Sequence, residues 1–310
     1  MRGGAWTFDG ETVRIVPGRE RSTHKLRQVL GEVQVPVAAL AGIAYEPARK
    51  KGRLRLSLRD GADPLTQAAR GQLEDAADPY QLTIDAGRTG AAQYFVEEVR
   101  NALVVEQVPR GPCDRYLMAG PRVPLTATAG DGTASFDGER VRLEWNWLVE
   151  ETKKSAGPQE FRIGDIDTVE WRPCIGLENG YLRFRLKGAE HTTMKPEHDP
   201  YCLTWGIRAM GGTTVLLAAA VLARLPHPSV RMGTASALAS GTGTAGGSGD
   251  GAGSTAGSAV GSGDGAGSAG GGDNPDVILR RLRELGELHR DGVLTDEEFA
   301  VAKQALLRRL

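Results

Sequence analysis

Cysteine is scarce in this 310-residue chain, and its three copies do not pair: Cys113, Cys174 and Cys202 are odd in number, far apart and form no Cys-x-x-Cys. That argues against a disulfide framework and for reduced thiols, so the expected compartment is the cytoplasm. Aromatic residues are only 5% of the chain. Charge of one sign is lacking as well, since 38 basic against 39 acidic side chains leave a net charge of -1. The molecule as a whole therefore has no pull toward a polyanion, and no nucleic-acid partner is expected. Long apolar runs are absent. The most apolar, Val215 to Ala223, is far shorter than the roughly 20 residues a bilayer core requires, so no transmembrane segment is expected. The opening Met1-Arg2-Gly3-Gly4-Ala5-Trp6 leads into polar residues and reads as no export signal. No Gly-x-Ser-x-Gly elbow, P-loop or dinucleotide fingerprint occurs in a strand-to-helix setting. The expectation is a protein that is not an enzyme, with no cofactor and no catalytic set.

What is present is a repeat. With 40% apolar and 25% charged residues the chain has the composition of about two folded domains. Phe8-Asp9-Gly10-Glu11-Thr12-Val13-Arg14-Ile15 returns as Phe136-Asp137-Gly138-Glu139-Arg140-Val141-Arg142-Leu143. Leu40, Ile43, Tyr45 and Pro47 return as Ile166, Val169, Trp171 and Pro173. Gly52-Arg53-Leu54-Arg55-Leu56-Ser57-Leu58 matches Gly180-Tyr181-Leu182-Arg183-Phe184-Arg185-Leu186, and Asp78-Pro79-Tyr80 matches Asp199-Pro200-Tyr201. Order and spacing both hold, which makes these two copies of one domain. The expected boundaries are 1–110 for the first repeat, 111–128 for a linker and 129–228 for the second repeat.

Within each copy the period is two. Leu54, Leu56 and Leu58 alternate with Arg53, Arg55 and Ser57, and Leu182, Phe184 and Leu186 with Arg183, Arg185 and Lys187, as in antiparallel strands with one face on a core. Asp9-Gly10 and Asp137-Gly138 between short apolar runs predict a hairpin at the start of each copy. Tyr94, Phe95, Val99 and Leu103 in the first copy, and Val215 to Leu225 in the second, predict a closing helix. The fold expected is mainly β with α: a strongly bent sheet or small barrel plugged by a helix, twice.

From 229 to 275 the composition shifts to Gly, Ala, Ser and Thr, and Gly-Ser-Gly-Asp-Gly-Ala-Gly-Ser occurs twice. Too little apolar surface is available there to offset chain entropy, so a disordered tether is expected. Residues 276–310 read as a helical hairpin. Ile278, Leu282 and Leu285 trace one apolar face, Phe299, Ala302, Leu306 and Leu310 another, and Asp291-Gly292 breaks them. Thr295 followed by Glu298 is a capping box for the second helix. So small a hairpin needs help to fold, and with no disulfide that help is self-association or docking on a partner.

Leu282-Arg283-Glu284-Leu285, Asp291-Gly292-Val293-Leu294-Thr295-Asp296-Glu297-Glu298-Phe299 and Lys303-Gln304-Ala305-Leu306-Leu307 resemble the SHOCT motif, the short C-terminal domain of many bacterial proteins. The two repeats are similar to bacterial domain-of-unknown-function repeats that occur in tandem ahead of such a tail and look like pleckstrin-homology (PH-like) modules. The resemblance implies two tandem split β-barrels of about seven strands, each closed by a C-terminal helix, with no established activity. For the tail it implies oligomerisation or partner contact, carried here by Ile278, Leu282, Leu285, Phe299, Leu306 and Leu307.

One further candidate is a cluster of cations: Arg49, Lys50, Lys51, Arg53 and Arg55, with Arg59 beyond, lie at a hairpin and on the polar face of a strand. In a PH-like module such a place can hold an anionic lipid headgroup; the plainer reading is a solvated sheet face. His191, His198, Cys202 and Cys174 fit no common zinc spacing. Asp291 to Glu298 imitates the end of a calcium loop, but its early ligand positions fall on Glu287 and His289. Trp145 and Trp147 extend the alternation of Val141 and Leu143 onto the core side, so core packing and a groove rim both stay open. The function expected is binding or scaffolding, with contact to anionic membrane lipid as the alternative.

Overall fold

The computed structural model describes residues 4–147, 149–176, 178–188, 194–206 and 212–230. In repeat 1 the strands are β1 (Gly4–Phe8), β2 (Thr12–Pro17), β3 (Val33–Pro36), β4 (Leu40–Glu46), β5 (Lys51–Leu58) and β6 (Gln81–Asp85), with helices α1 (Lys25–Leu30), α2 (Pro64–Ala69) and α3 (Thr89–Val105). Repeat 2 has β7 (Leu125–Thr128), β8 (Gly132–Phe136), β9 (Arg140–Trp145), β10 (Gln159–Arg162), β11 (Ile166–Arg172), β12 (Gly180–Leu186) and β13 (Cys202–Trp205), with α4 (Glu151–Ala156) and α5 (Thr214–Leu222). Among the described residues the strands form four antiparallel sheets, ordered β1-β2-β3, β4-β5-β6, β7-β8-β9-β10 and β11-β12-β13, and none of these closes on itself. The protein is thus mainly β with helices, built as pairs of small open sheets.

The sequence repeat is a structural repeat down to single hydrogen bonds. Asp9 Oδ1 accepts the N–H of Glu11 and Thr12 at 3.0 and 2.8 Å, and Asp137 Oδ1 accepts those of Glu139 and Arg140, both at 2.7 Å. These donors hold both carboxyls below the usual range. Gly10 and Gly138 take positive φ, 104° and 115°, which the turn demands. The register shifts between Leu40 and Gly42 in β4 and between Ile166 and Thr168 in β11, the same bulge twice. Tyr45 bonds the first residue of α3 (Oη to Thr89 Oγ1, 3.0 Å), and Trp171 the first of α5 (Nε1 to Thr214 Oγ1, 2.9 Å).

The closing helices then part company. α3 is amphipathic and buries Ala92, Val96 and Val99 on one side only. α5, Thr-Val-Leu-Leu-Ala-Ala-Ala-Val-Leu, is apolar nearly all round, and all nine residues are buried. One side of it meets its own repeat at β7, β8, β11 and β12, and α2 of repeat 1 packs against it as well. Leu26, Leu65, Ala68, Ala69 and Ala77 of repeat 1 therefore belong to one core with Phe136, Leu182, Leu216 and Ala219 of repeat 2. The first repeat keeps a second core around Val13, Leu54, Leu56 and Val99.

The segment expected to be a plain linker, 111–128, is built into both repeats. Cys113 and Met118 are buried in the core of repeat 1, and Leu117 and Met118 donate backbone N–H to Ala62 O. Its end is β7, paired with β8 from Leu125↔Phe136 to Thr128↔Thr133. Beyond α5 the chain returns to repeat 1: His227 Nε2 lies 3.0 Å from Gly61 O, and Ser229 Oγ donates to Asp114 O at 2.8 Å. Ser229 and Val230, expected at the head of the Gly/Ala tract, are therefore part of the fold. The rest of the tract and the helical hairpin, with Ile278, Leu282, Leu285, Phe299, Leu306 and Leu307, lie outside the described residues.

A core shared by both repeats is expected to make unfolding of the parent a single calorimetric event. Ala69→Asp, which places a carboxylate without a partner at a position only 2% exposed, is expected to split the parent's one calorimetric transition into two and lower repeat 2 first, at a cost of several kcal/mol. A single transition at an unchanged temperature would contradict the shared core.

Candidate functional site

The basic hairpin is present, and two of its five cations, Arg53 and Arg55, share one acidic partner. Arg49 and Lys50 occupy the exposed turn between β4 and β5, and Lys51, Arg53 and Arg55 point outward along β5 because Gly52, Leu54 and Leu56 take the core side. Asp75 pairs with Arg53 at 2.8 Å and reaches Arg55 at 3.5 Å. The Asp75 carboxyl is held below its ordinary range by Gln81 and these arginines. Lys51 sits opposite Asp85 in the ladder. Arg59 bonds the carbonyls of Gly111 and Ala38 at 3.0 and 2.9 Å. Alternation on one face brings the cations together, and a loop from α2 brings the anion that answers them.

Among the described residues repeat 2 carries two buried ion pairs that its strand alternation did not disclose. Lys153, fully buried, donates to Asp131 Oδ2 and to Cys202 O, both at 2.6 Å, and lies over the Trp145 ring at 5.1 Å. Asp131 also accepts the N–H and Oγ1–H of Thr204, at 2.9 and 2.7 Å. This clasp ties the turn before β8 to β13, joining the two sheets. Arg183 pairs with Asp199 at 2.8 Å and bonds Met194 O. The only sign in the sequence was an Arg on a strand that repeat 1 also uses, where it faces water.

Two hollows lie near the repeat boundary. One of about 250 Å³ is walled by Trp171, Trp205 and Val215 of repeat 2 and by Leu26, Leu73 and Ala77 of repeat 1, with His24, Gln72, Glu74 and Cys174 around it. A Cβ on Gly180 would collide with the Trp205 indole, so only glycine lets that wall stand where it does. The other, of about 540 Å³, runs beside β3 between Glu32, Gln34, Asp63, Tyr80, Met118 and Arg122. Asp63 caps α2, its Oδ1 accepting from Leu65 N (3.2 Å) and its Oδ2 from Thr66 N (2.9 Å) and Tyr80 Oη (2.8 Å). Burial pushes the Asp63 carboxyl up, and burial beside Asp63 pushes the Tyr80 phenol well above its usual value. Glu32 is held by Arg14 at 2.5 Å. Two of the polar walls, Asp63 and Tyr80, are thus bonded to each other, and Glu32 is engaged by Arg14.

Of the remaining sequence candidates, Cys202 is fully buried and burial pushes its thiol up to about 12, while Cys174 is half-buried. No cluster of three or more His, Cys, Asp or Glu side chains suited to a metal occurs among the described residues. Trp145 turns inward and donates Nε1–H to Gly157 O at 2.7 Å. Trp147 does not follow: β9 ends at Trp145, the alternation stops with it, and Trp147 is 83% exposed. No helix among the described residues is long and apolar enough to cross a membrane.

The pattern of a domain of unknown function, DUF4429, matches residues 6–100 and again 134–222, the offset of the internal repeat and together more than half of the chain. This chain belongs to the DUF4429 family. The short C-terminal domain, SHOCT, matches residues 280–307. No curated protein matches the chain. The two DUF4429 segments coincide with the structural repeats from β1 to α3 and from β8 to α5, so β7 and the segment before it lie between the family's two units.

Two outcomes follow for this DUF4429 pair. With a thiol near 12, Cys202 presents about one thiolate in ten thousand at pH 8; alkylation of the native protein followed by mass spectrometry is expected to mark Cys174 and spare Cys202 and buried Cys113 until denaturant is added. Asp131→Asn or Lys153→Met alone is expected to cost about 3–5 kcal/mol, and the double replacement clearly less than the sum, because each single change strands a buried partner. Additive losses in denaturant titration would contradict the clasp.

Proposed function

We propose that this protein is a non-enzymatic binding and scaffolding protein: two PH-like modules fused into one body, and a SHOCT tail that supplies self-association. The observation that carries the reading is α5, enclosed by its own repeat and by α2 of the other. That enclosure fixes two recognition modules in one orientation, which is useful to a scaffold that must present two surfaces at a set spacing. The PH-like assignment is supported by repeat 2, whose four-strand sheet, three-strand sheet and closing helix follow one another in chain order. The tail would act through its two apolar stripes, Ile278, Leu282 and Leu285 with Phe299, Leu306 and Leu307. Association through it would give individually weak contacts avidity. The lipid-headgroup alternative has less to stand on, since Asp75 already pairs with Arg53 and Arg55 and leaves Arg49, Lys50 and Lys51 to act.

Light scattering on the full chain and on a chain ended after Val230 tests the reading. The full chain is expected to be a defined oligomer and the shortened one a monomer, and Leu285→Asp or Phe299→Asp is expected to return the full chain to monomer mass with the repeats still folded. The same number of protomers in all four proteins would overturn the tail's role.

A further inference from the structure

Among the described residues repeat 2 has one strand more than repeat 1, and the difference lies at one sheet edge. β8 has β9 on one side and β7 on the other. Its counterpart β1 has β2 on one side and, among the described residues, no strand on the other. The direction of the backbone groups follows from the hairpin closures. Asp137 N–H bonds Arg140 O and Ala129 N–H bonds Gly132 O, so the antiparallel alternation turns Ala134 and Phe136 toward Ala127 and Leu125 of β7. Asp9 N–H bonds Thr12 O in the same way. Thr7 and Ala5 therefore face β2, and the amides and carbonyls of Trp6 and Phe8 face the open edge.

The side chains carry the same difference independently. Ala134 and Phe136 are 0% and 1% exposed beneath β7, whereas Trp6 and Phe8 are only half-buried on the core side of their strand. Both lie 6.4 Å, centroid to centroid, from Phe95 of α3, making an aromatic cluster at that edge. Trp6 Nε1 is buried with no hydrogen-bond partner among the described residues.

We propose that the edge of β1 is a strand-acceptor site, filled in trans by an extended segment of a partner polypeptide lying antiparallel on β1 as β7 lies on β8. The proposal rests on the reading of the double repeat as a binding body and names its partner's chemistry. Leu125-Thr126-Ala127-Thr128 supplies the pattern: a long apolar residue opposite Phe8, a small one opposite Trp6, and polar residues between. Backbone bonds to Trp6 and Phe8 give the affinity, and the aromatic cluster selects the alternate side chains. A second copy's own β1 suits the edge poorly. Two such strands would set indole against indole about a two-fold axis at Trp6, or indole against the Phe8 ring about one at Thr7, where repeat 2 sets Ala127 against Ala134.

Hydrogen exchange on the full chain tests this with a synthetic peptide carrying the sequence of residues 122–129. The expected result is exchange slowed about tenfold or more at Trp6 and Phe8, and no slowing by the same peptide with proline at the place of Ala127, which removes the donor facing the edge. A second variant makes the outcome independent of peptide affinity: the sequence of residues 122–131 fused directly ahead of Gly4 is expected to protect the same two amides and to abolish peptide binding. Unchanged exchange in both experiments overturns the proposal. So does protection already present in the unliganded full chain with a doubled mass that Trp6→Ala halves, because a second copy then fills the edge. Mass measured on the same samples separates this site from the tail: edge protection that a monomer gains only on adding the peptide sustains the site while refuting tail association, an oligomer whose edge stays unprotected with peptide does the reverse, and protection already present in an unliganded monomer overturns filling in trans.

Discussion

The need to cover α5 on every side governs the rest of the structure. A nine-residue helix of Val, Leu and Ala after an opening Thr has no face fit for water, and its own two open sheets cover only one side. At about 25 cal/mol per Å² of apolar surface, leaving the other side bare would forfeit several kcal/mol, a large share of a domain's net stability. The α2 face of repeat 1, with Leu65, Ala68 and Ala69, meets that need, and small alanines on both helices let the backbones come close. Repeat 2 is therefore stable as part of a pair. The short β7 and the return of His227 and Ser229 to repeat 1 close the same unit from both ends.

The copies have diverged where the shared fold allows it. Turn carboxylates Asp9 and Asp137, the bulges in β4 and β11, and the aromatic-to-threonine bonds at the helix starts are all retained. These set backbone direction, and a change at any of them moves a whole strand. The interiors differ instead. Repeat 2 places Lys153, Asp131 and Thr204 between its sheets, where a lone charge would be costly and a fully bonded set is not. Repeat 1 fills its interior with Val, Leu and an aromatic cluster of Trp6, Phe8 and Phe95.

Much of this was legible in the amino-acid order. Period-two alternation in Leu54-Arg55-Leu56 and the Asp-Gly turns fixed strands and hairpins, because both are local signals tied to backbone geometry. The apolar spacing of Tyr94, Phe95, Val99 and Leu103 and the run from Val215 to Leu225 marked a closing helix in each copy, and α3 and α5 lie there. What covers α5 was not legible, since Leu65 and Ala69 lie some 150 positions away and nothing local marks Ala as an interface residue. β7 was lost in an apparent linker, as four residues with a single long apolar side chain carry too weak a pattern. Trp147 was placed inward because alternation was carried past the true end of β9. The Asp131–Lys153 clasp had no signal, because a buried lysine looks like a surface one until its partner is known.

Head-to-tail contact between repeats carries a hazard that the sequence of α3 answers. Where α2 of one repeat packs on the closing helix of the next, the contact is heterologous, and a chain of identical repeats would extend without limit. α3 occupies in repeat 1 the place that α5 occupies in repeat 2, yet it turns Gln93, Tyr94, Glu97, Glu98 and Asn101 outward and exposed. Seating an α2 face on Glu97 and Glu98 would bury two carboxylates of like sign, each at a cost that apolar contact with alanines does not offset. α3 thus presents no apolar seat like the one α5 offers to α2. Among the described residues the edge of β1 lies beside this polar helix, with no strand paired to it and with the Trp6 and Phe8 rings packed on Phe95.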